Sequence, residues 1–167
     1  MLWAFVDESK ANDYILAMVV AEPSVAIALE KKLVALRLPG QRRIHFSKES
    51  DQRRRMILDQ IAKFDLEVYF FTNTSKNEAT ARKACLLAAL TTVRVRNVKV
   101  IFIERDESVM KADLSLLKML VSDLQFQLLE PHQKAGLWAA DALAWAKFRG
   151  GKYWAKISHL EKLAGTT

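Results

Sequence analysis

The chain has 167 residues, 51% of them hydrophobic and 27% charged, which excludes disorder and suits one domain with a full-sized core. Its net charge of +7 favours polyanionic partners, nucleic acid or an anionic surface. A single cysteine, Cys85, excludes an intramolecular disulfide and any Cys-rich zinc site, and no apolar stretch approaches the roughly 20 residues that cross a bilayer. A cytoplasmic protein with no membrane partner is expected.

Residues 2–7 and 14–21 read as two buried strands, joined by a hairpin turn at Lys10-Ala11-Asn12-Asp13. Pro23-Ser24 opens a helix, with Val25, Ala28, Leu29, Lys32, Leu33 and Leu36 at helical spacing, and Pro39-Gly40 stops it. A basic stretch then leads into Ile44-His45-Phe46-Ser47. Ser50-Asp51 caps a second helix whose apolar face includes Met56, Ile57, Ile61 and Phe64. A strand over 66–72, a helix over 78–93 and a strand ending at Glu104 follow. Cys85 falls in the helix as a buried thiol. Residues 112–129 return to helical spacing through Leu116, Leu117, Leu120, Leu124 and Leu128. Leu137 to Phe148 is a further helix, and an amphipathic tail from Tyr153 to Leu163 packs on its own domain or on a second subunit in a homodimer. A hairpin followed by alternating helices and strands predicts an α/β domain over 1–167, with a mixed sheet and flanking helices.

Three acids interrupt apolar segments. Asp7 and Glu8 close Leu2-Trp3-Ala4-Phe5-Val6, Glu104 closes Val98 to Ile103, and Asp141 is the sole ionisable residue from Ala135 to Ala146. Burying a carboxylate is costly unless it is paired or metal-bound. Trp138 and Trp145, three before and four after Asp141, put both indoles on its helical face, so Asp141 points inward. If the strands ending at Asp7 and Glu104 run parallel, both acids lie on the rim where open α/β sheets bind ligands. Three carboxylates there call for a hard cation, Mg²⁺ or Mn²⁺. The bland alternatives are a buried Arg or Trp partner for Asp141 and plain solvation for strand-end acids. Glu8 and Asp106 alternate with Asp7 and Glu104, so one of each pair points away, and Asp106 competes with Glu104 as third ligand. Glu107 and Asp113 read as solvent-facing charges at a helix start.

His45 sits beside basic residues, where a general acid or base, or a phosphate contact, is one role and ordinary hydrogen-bonded structure the other. Arg42, Arg43 and Lys48, then Arg53, Arg54 and Arg55, form two basic clusters able to align a nucleic-acid backbone, DNA or RNA, or to be the solvated face of a helix. There is no Gly-rich phosphate loop, G-x-S-x-G elbow or H-E-x-x-H motif.

Phe5-Val6-Asp7-Glu8-Ser9, Arg43-Ile44-His45-Phe46, Ile103-Glu104-Arg105-Asp106-Glu107-Ser108 and Leu137 to Trp145, in that order, resemble a bacterial family, the domain of unknown function 3800. The resemblance spans nearly the whole chain and implies a ribonuclease H-like fold. Asp7 then maps to the metal-binding Asp of the first strand and Asp141 to that of the late helix, with Glu104 as third ligand. Two departures stand out: Lys10 replaces the glycine that commonly follows D-E-S, and the strand after the first helical segment ends in Thr72-Asn73 where an acid is usual. The expectation is a metal-dependent nuclease or related phosphodiester-processing hydrolase. Asp7, Glu104 and Asp141 would hold Mg²⁺ or Mn²⁺, and His45 or Glu8 would assist proton transfer. The alternative is a non-catalytic nucleic-acid- or protein-binding module on the same fold.

Overall fold

A computed structural model describes residues 1–10, 13–120 and 123–164. In chain order the elements are β1 (Leu2–Ser9), β2 (Tyr14–Ala21), α1 (Pro23–Ala35), α2 (Asp51–Ile61), β3 (Glu67–Asn73), α3 (Glu78–Val95), β4 (Val98–Glu104), α4 (Met110–Leu120), β5 (Gln125–Leu129), α5 (Gly136–Arg149) and α6 (Gly151–Ile157). They build a five-stranded mixed sheet of order β3-β2-β1-β4-β5. β1 pairs antiparallel with β2 and parallel with β4, so two parallel strands meet at the centre.

Strand alternation sorts the core into two layers. Phe5 and Phe102 face α1, α2, α5 and α6, whereas Ala4, Val6, Ile101 and Ile103 face α3 and α4. β2 is buried along its whole length, as its run of apolar residues from Tyr14 to Ala21 requires. α5 lies on β1 and β2 because Gly136 has no side chain: a Cβ there would stand 2.2 Å from the Phe5 ring. Ser50 caps α2 by accepting the Arg53 N–H, and Asn77 caps α3 by accepting that of Thr80.

The hairpin pairing of β1 with β2 matches expectation, although Ala11 and Asn12 of its turn lie outside the described residues. One element differs. The helix expected over 112–129 ends at Leu120, and Gln125–Leu129 is an edge strand parallel to β4. Leu124 and Leu128 fall at helical spacing from Leu116 and Leu120, but Phe126 and Leu128 alternate onto the α3 face as a strand requires. The tail folds back on its own chain. Tyr153, Ile157 and Leu160 are buried in the α2/α5 layer, and Lys162 N–H donates to the Val68 carbonyl at 2.8 Å. A homodimer therefore draws no support from these residues. No helix among the described residues is long and apolar enough to cross a membrane.

Candidate metal centre

The parallel register pairs Phe5 with Phe102 and Val6 with Ile103, so Asp7 and Glu104 are the next neighbours on the carboxyl-terminal rim. Both continue the face of Phe5 and Phe102, whose rings stack 5.3 Å apart directly beneath them. Opposite Asp7 on β2 stands Ala17, wholly buried and small, which leaves the carboxyl room. Asp7 is 6% exposed and shares a hydrogen bond with Glu104. Burial, that hydrogen bond and the nearby charges of Asp141 and Glu104 hold its carboxyl well above the usual carboxylate range.

Asp141 reaches the same rim from α5. It is half-buried, and burial pushes its carboxyl up to about 6. The backbone N–H of Phe46 donates to Asp141 Oδ2 at 3.1 Å, and the Arg43 charge acts in the same sense, opposing the rise. Asp141 raises the proton affinity of Asp7, and Glu104 raises that of Asp141, so the three acids form one electrostatic group.

The loop between α1 and α2 closes over this rim. Its final turn, Phe46 to Lys48, is held by Arg54, which donates to the Phe46 carbonyl at 3.1 Å and to that of Ser47, and lies 4.6 Å over the Trp145 ring. Trp145 in turn meets Phe46 edge-on at 5.2 Å. His45 is half-buried, and burial with the Arg43 and Lys48 charges lowers its pKa against the opposing pull of Glu104 and Glu49. Its imidazole is therefore neutral at pH 7.

The predicted residues separate clearly. Asp7, Glu104, Asp141, His45 and Arg43 come together. Arg42 and Lys48 are exposed on the same loop, and among the described residues their side chains make no hydrogen bond or ion pair. Arg53 and Arg54 turn inward: Arg53 bonds Glu49 Oε2 at 2.7 Å and the Leu36 carbonyl at 2.8 Å. Arg55 pairs with Asp51 at 3.2 Å. Asp106 pairs with Lys10 at 3.4 Å and accepts from Ser108, which lowers its pKa. Glu8 is not brought to the site, because alternation sends it through the sheet to the α3 face. There it pairs with Arg82. Asp113, expected in solvent, is 4% exposed and bonded to Arg82 at 2.8 Å. It does stand in the first turn of α4, but facing inward.

One contributor carried no pattern of its own, the Phe46 backbone N–H, whereas the loop anchor Arg54 stood in a basic cluster read as phosphate-binding. Arg82 did leave a signal, lying four and seven residues before Leu86 and Ala89 on the apolar stripe of α3.

The oxygen-only donor set suits a hard cation. As placed, no three His, Cys, Asp or Glu side chains among the described residues enclose a cation site. The fit is therefore one of chemistry and position.

No family model matches the chain. No curated protein sequence matches it. Among solved structures it is similar to an RNase HII from Archaeoglobus fulgidus, solved in complex with PCNA. That likeness has a TM-score of 0.59 at 14% identity and covers 96% of this chain and 76% of the other. The fold is ribonuclease H-like.

Proposed function

We propose that this chain is a metal-dependent nuclease or related phosphodiester-processing enzyme, acting as a single cytoplasmic domain over residues 1–167. The observation that carries this reading is the meeting of Asp7, Glu104 and Asp141 on one rim, each of the two aspartates forced up in pKa by burial and by its acidic neighbours. Such a group persists at some cost to stability, which a bound cation would offset. Asp7, Glu104 and Asp141 would hold Mg²⁺ or Mn²⁺. The chemistry supplied by such an ion is activation of a water and neutralisation of charge on phosphate oxygens.

The chain's own groups take defined parts. The Phe46 N–H fixes one oxygen of Asp141. Neutral His45, within the field of Glu104, accepts or delivers a proton beside a substrate phosphate. Arg42, Arg43 and Lys48 neutralise the nucleic-acid backbone. The likeness to RNase HII and the resemblance to the domain of unknown function 3800 family both support this assignment by analogy of fold.

The test is cleavage of single- and double-stranded DNA and RNA with Mg²⁺, Mn²⁺ or chelator, beside Asp7→Asn and Asp141→Asn. Cation-dependent cleavage lost in both variants supports the reading, and cleavage that survives in both removes it. Binding with steep salt dependence but no cleavage by the wild type would instead favour the non-catalytic nucleic-acid-binding module.

A further inference from the structure

We infer that Arg82, on the sheet face opposite the carboxylates, is a positioning residue that sets the spacing of Asp7 and Glu104. The inference rests on the metal-site reading above.

The need for such a residue follows from the register. Backbone pairing of β1 with β4 ends at Val6 and Ile103, one position short of the two acids. Beyond that point β1 pairs only with β2, and Glu104 only with β5. Two carboxyl groups therefore stand side by side where the ladder that should hold them has stopped, and in ionised form they repel.

Arg82 bridges this gap from below. Its guanidinium pairs with the Glu8 carboxylate, adjacent in sequence to Asp7, and lies 3.5 Å from the Glu104 carbonyl oxygen. The Glu8 N–H in turn donates to Asp7 Oδ1 at 2.7 Å, so a shift of Glu8 moves Asp7 directly. The rest of the fork is tied to α4 and β2. Arg82 donates to Asp113 at 2.8 and 3.2 Å and to the Tyr14 hydroxyl at 3.4 Å. With Arg82 only 4% exposed, these bonds are shielded from water and salt. A lysine keeps the charge but lacks the planar fork that reaches both strand ends together.

A merely structural ion pair predicts lower stability with an unaltered site. Positioning predicts altered cation affinity in protein that is still folded. The experiment measures Mn²⁺ affinity by calorimetry and nucleic-acid cleavage for wild type, Arg82→Lys and Glu8→Gln, with folding followed by circular dichroism. Glu67→Gln, which breaks the Arg96 pair at the far end of β3, is the control for loss of an ion pair as such. Folded Arg82→Lys and Glu8→Gln should bind Mn²⁺ about tenfold more weakly, the scale of outer-shell effects on metal ligands, with Glu67→Gln unchanged. If Arg82→Lys does not fold, Glu8→Gln decides the question. Wild-type binding and cleavage, with both variants within twofold of wild type for Mn²⁺, would overturn the positioning role alone. A wild type that neither binds Mn²⁺ nor cleaves would overturn the metal-site reading and this inference with it.

Discussion

Phe46 donates its backbone N–H to Asp141 across 95 residues of sequence, at 3.1 Å. That one bond fastens the basic loop to the acidic helix, so the cations of the loop and the carboxylates of the rim are presented together.

The carboxylates should weaken the fold at neutral pH. Because the Asp141 pKa is raised, the folded protein holds that proton more tightly than the unfolded chain does. The contribution of Asp141 to stability is then fully present below roughly pH 4 and is lost as pH rises to about 6. Asp7 acts in the same direction, its window opening at the same unfolded value and closing at its raised folded one. Asp141→Asn should therefore stabilise the protein at pH 7 by ~1–2 kcal/mol, discounted for partial exposure, with little effect at pH 4. Urea unfolding at the two pH values checks this, and destabilisation at pH 7 would contradict it.

Cation affinity should rise with pH. A cation held by Asp7 competes with protons for a carboxyl whose pKa is raised by burial and by its bond to Glu104. Mn²⁺ binding measured calorimetrically at pH 5 and pH 7 should be weaker at pH 5, with proton release on binding. Equal affinity and no proton release would sink this point.

Gly136 sets how closely α5 approaches β1. Gly136→Ala places a methyl within 2.2 Å of the Phe5 ring, which is fully buried and stacked on Phe102 and cannot swing away. Overpacking of this kind costs ~1–3 kcal/mol, only partly offset by the ~1 kcal/mol helix preference of Ala over Gly. Thermal unfolding should show a lower Tm, and a smaller loss in a Phe5→Leu background. Equal losses in both backgrounds would separate Gly136 from Phe5.

The two basic clusters should behave differently. Arg42→Gln with Lys48→Gln should weaken nucleic-acid binding and flatten its salt dependence by about one unit of slope per cation removed, at unchanged Tm. Arg54→Gln removes the anchor of the Phe46 turn, so it should lower Tm by a few degrees. Filter binding over a salt series, beside thermal melts, distinguishes them. A Tm loss confined to the double variant would reverse the assignment.

Elements with strong local periodicity were legible in the chain: β1, β2, α1, α3 and α5 fall close to where spacing puts them. β5 was not, because leucines at helical spacing run on from α4 into an edge strand that becomes evident only beside β4. The departure at Thr72-Asn73 has a topological explanation. That strand is β3 on the far edge of the sheet, whereas the strand beside β1 is β4, which ends in Glu104. The inward turn of Glu8 and Asp113 depends on Arg82, 74 and 31 residues away respectively, and no local pattern encodes such a meeting. Arg53 and Arg54 were equally opaque, since an arginine bonded to backbone carbonyls looks in sequence like one that binds phosphate.

The most direct test of the central claim is anomalous diffraction from crystals of the protein soaked in Mn²⁺ at neutral pH. The expected result is one or two anomalous peaks within coordination distance of Asp7, Glu104 and Asp141, absent from Asp7→Asn crystals. Fully occupied Mn²⁺ elsewhere, with Asp7 and Glu104 still hydrogen-bonded to each other, would contradict the account.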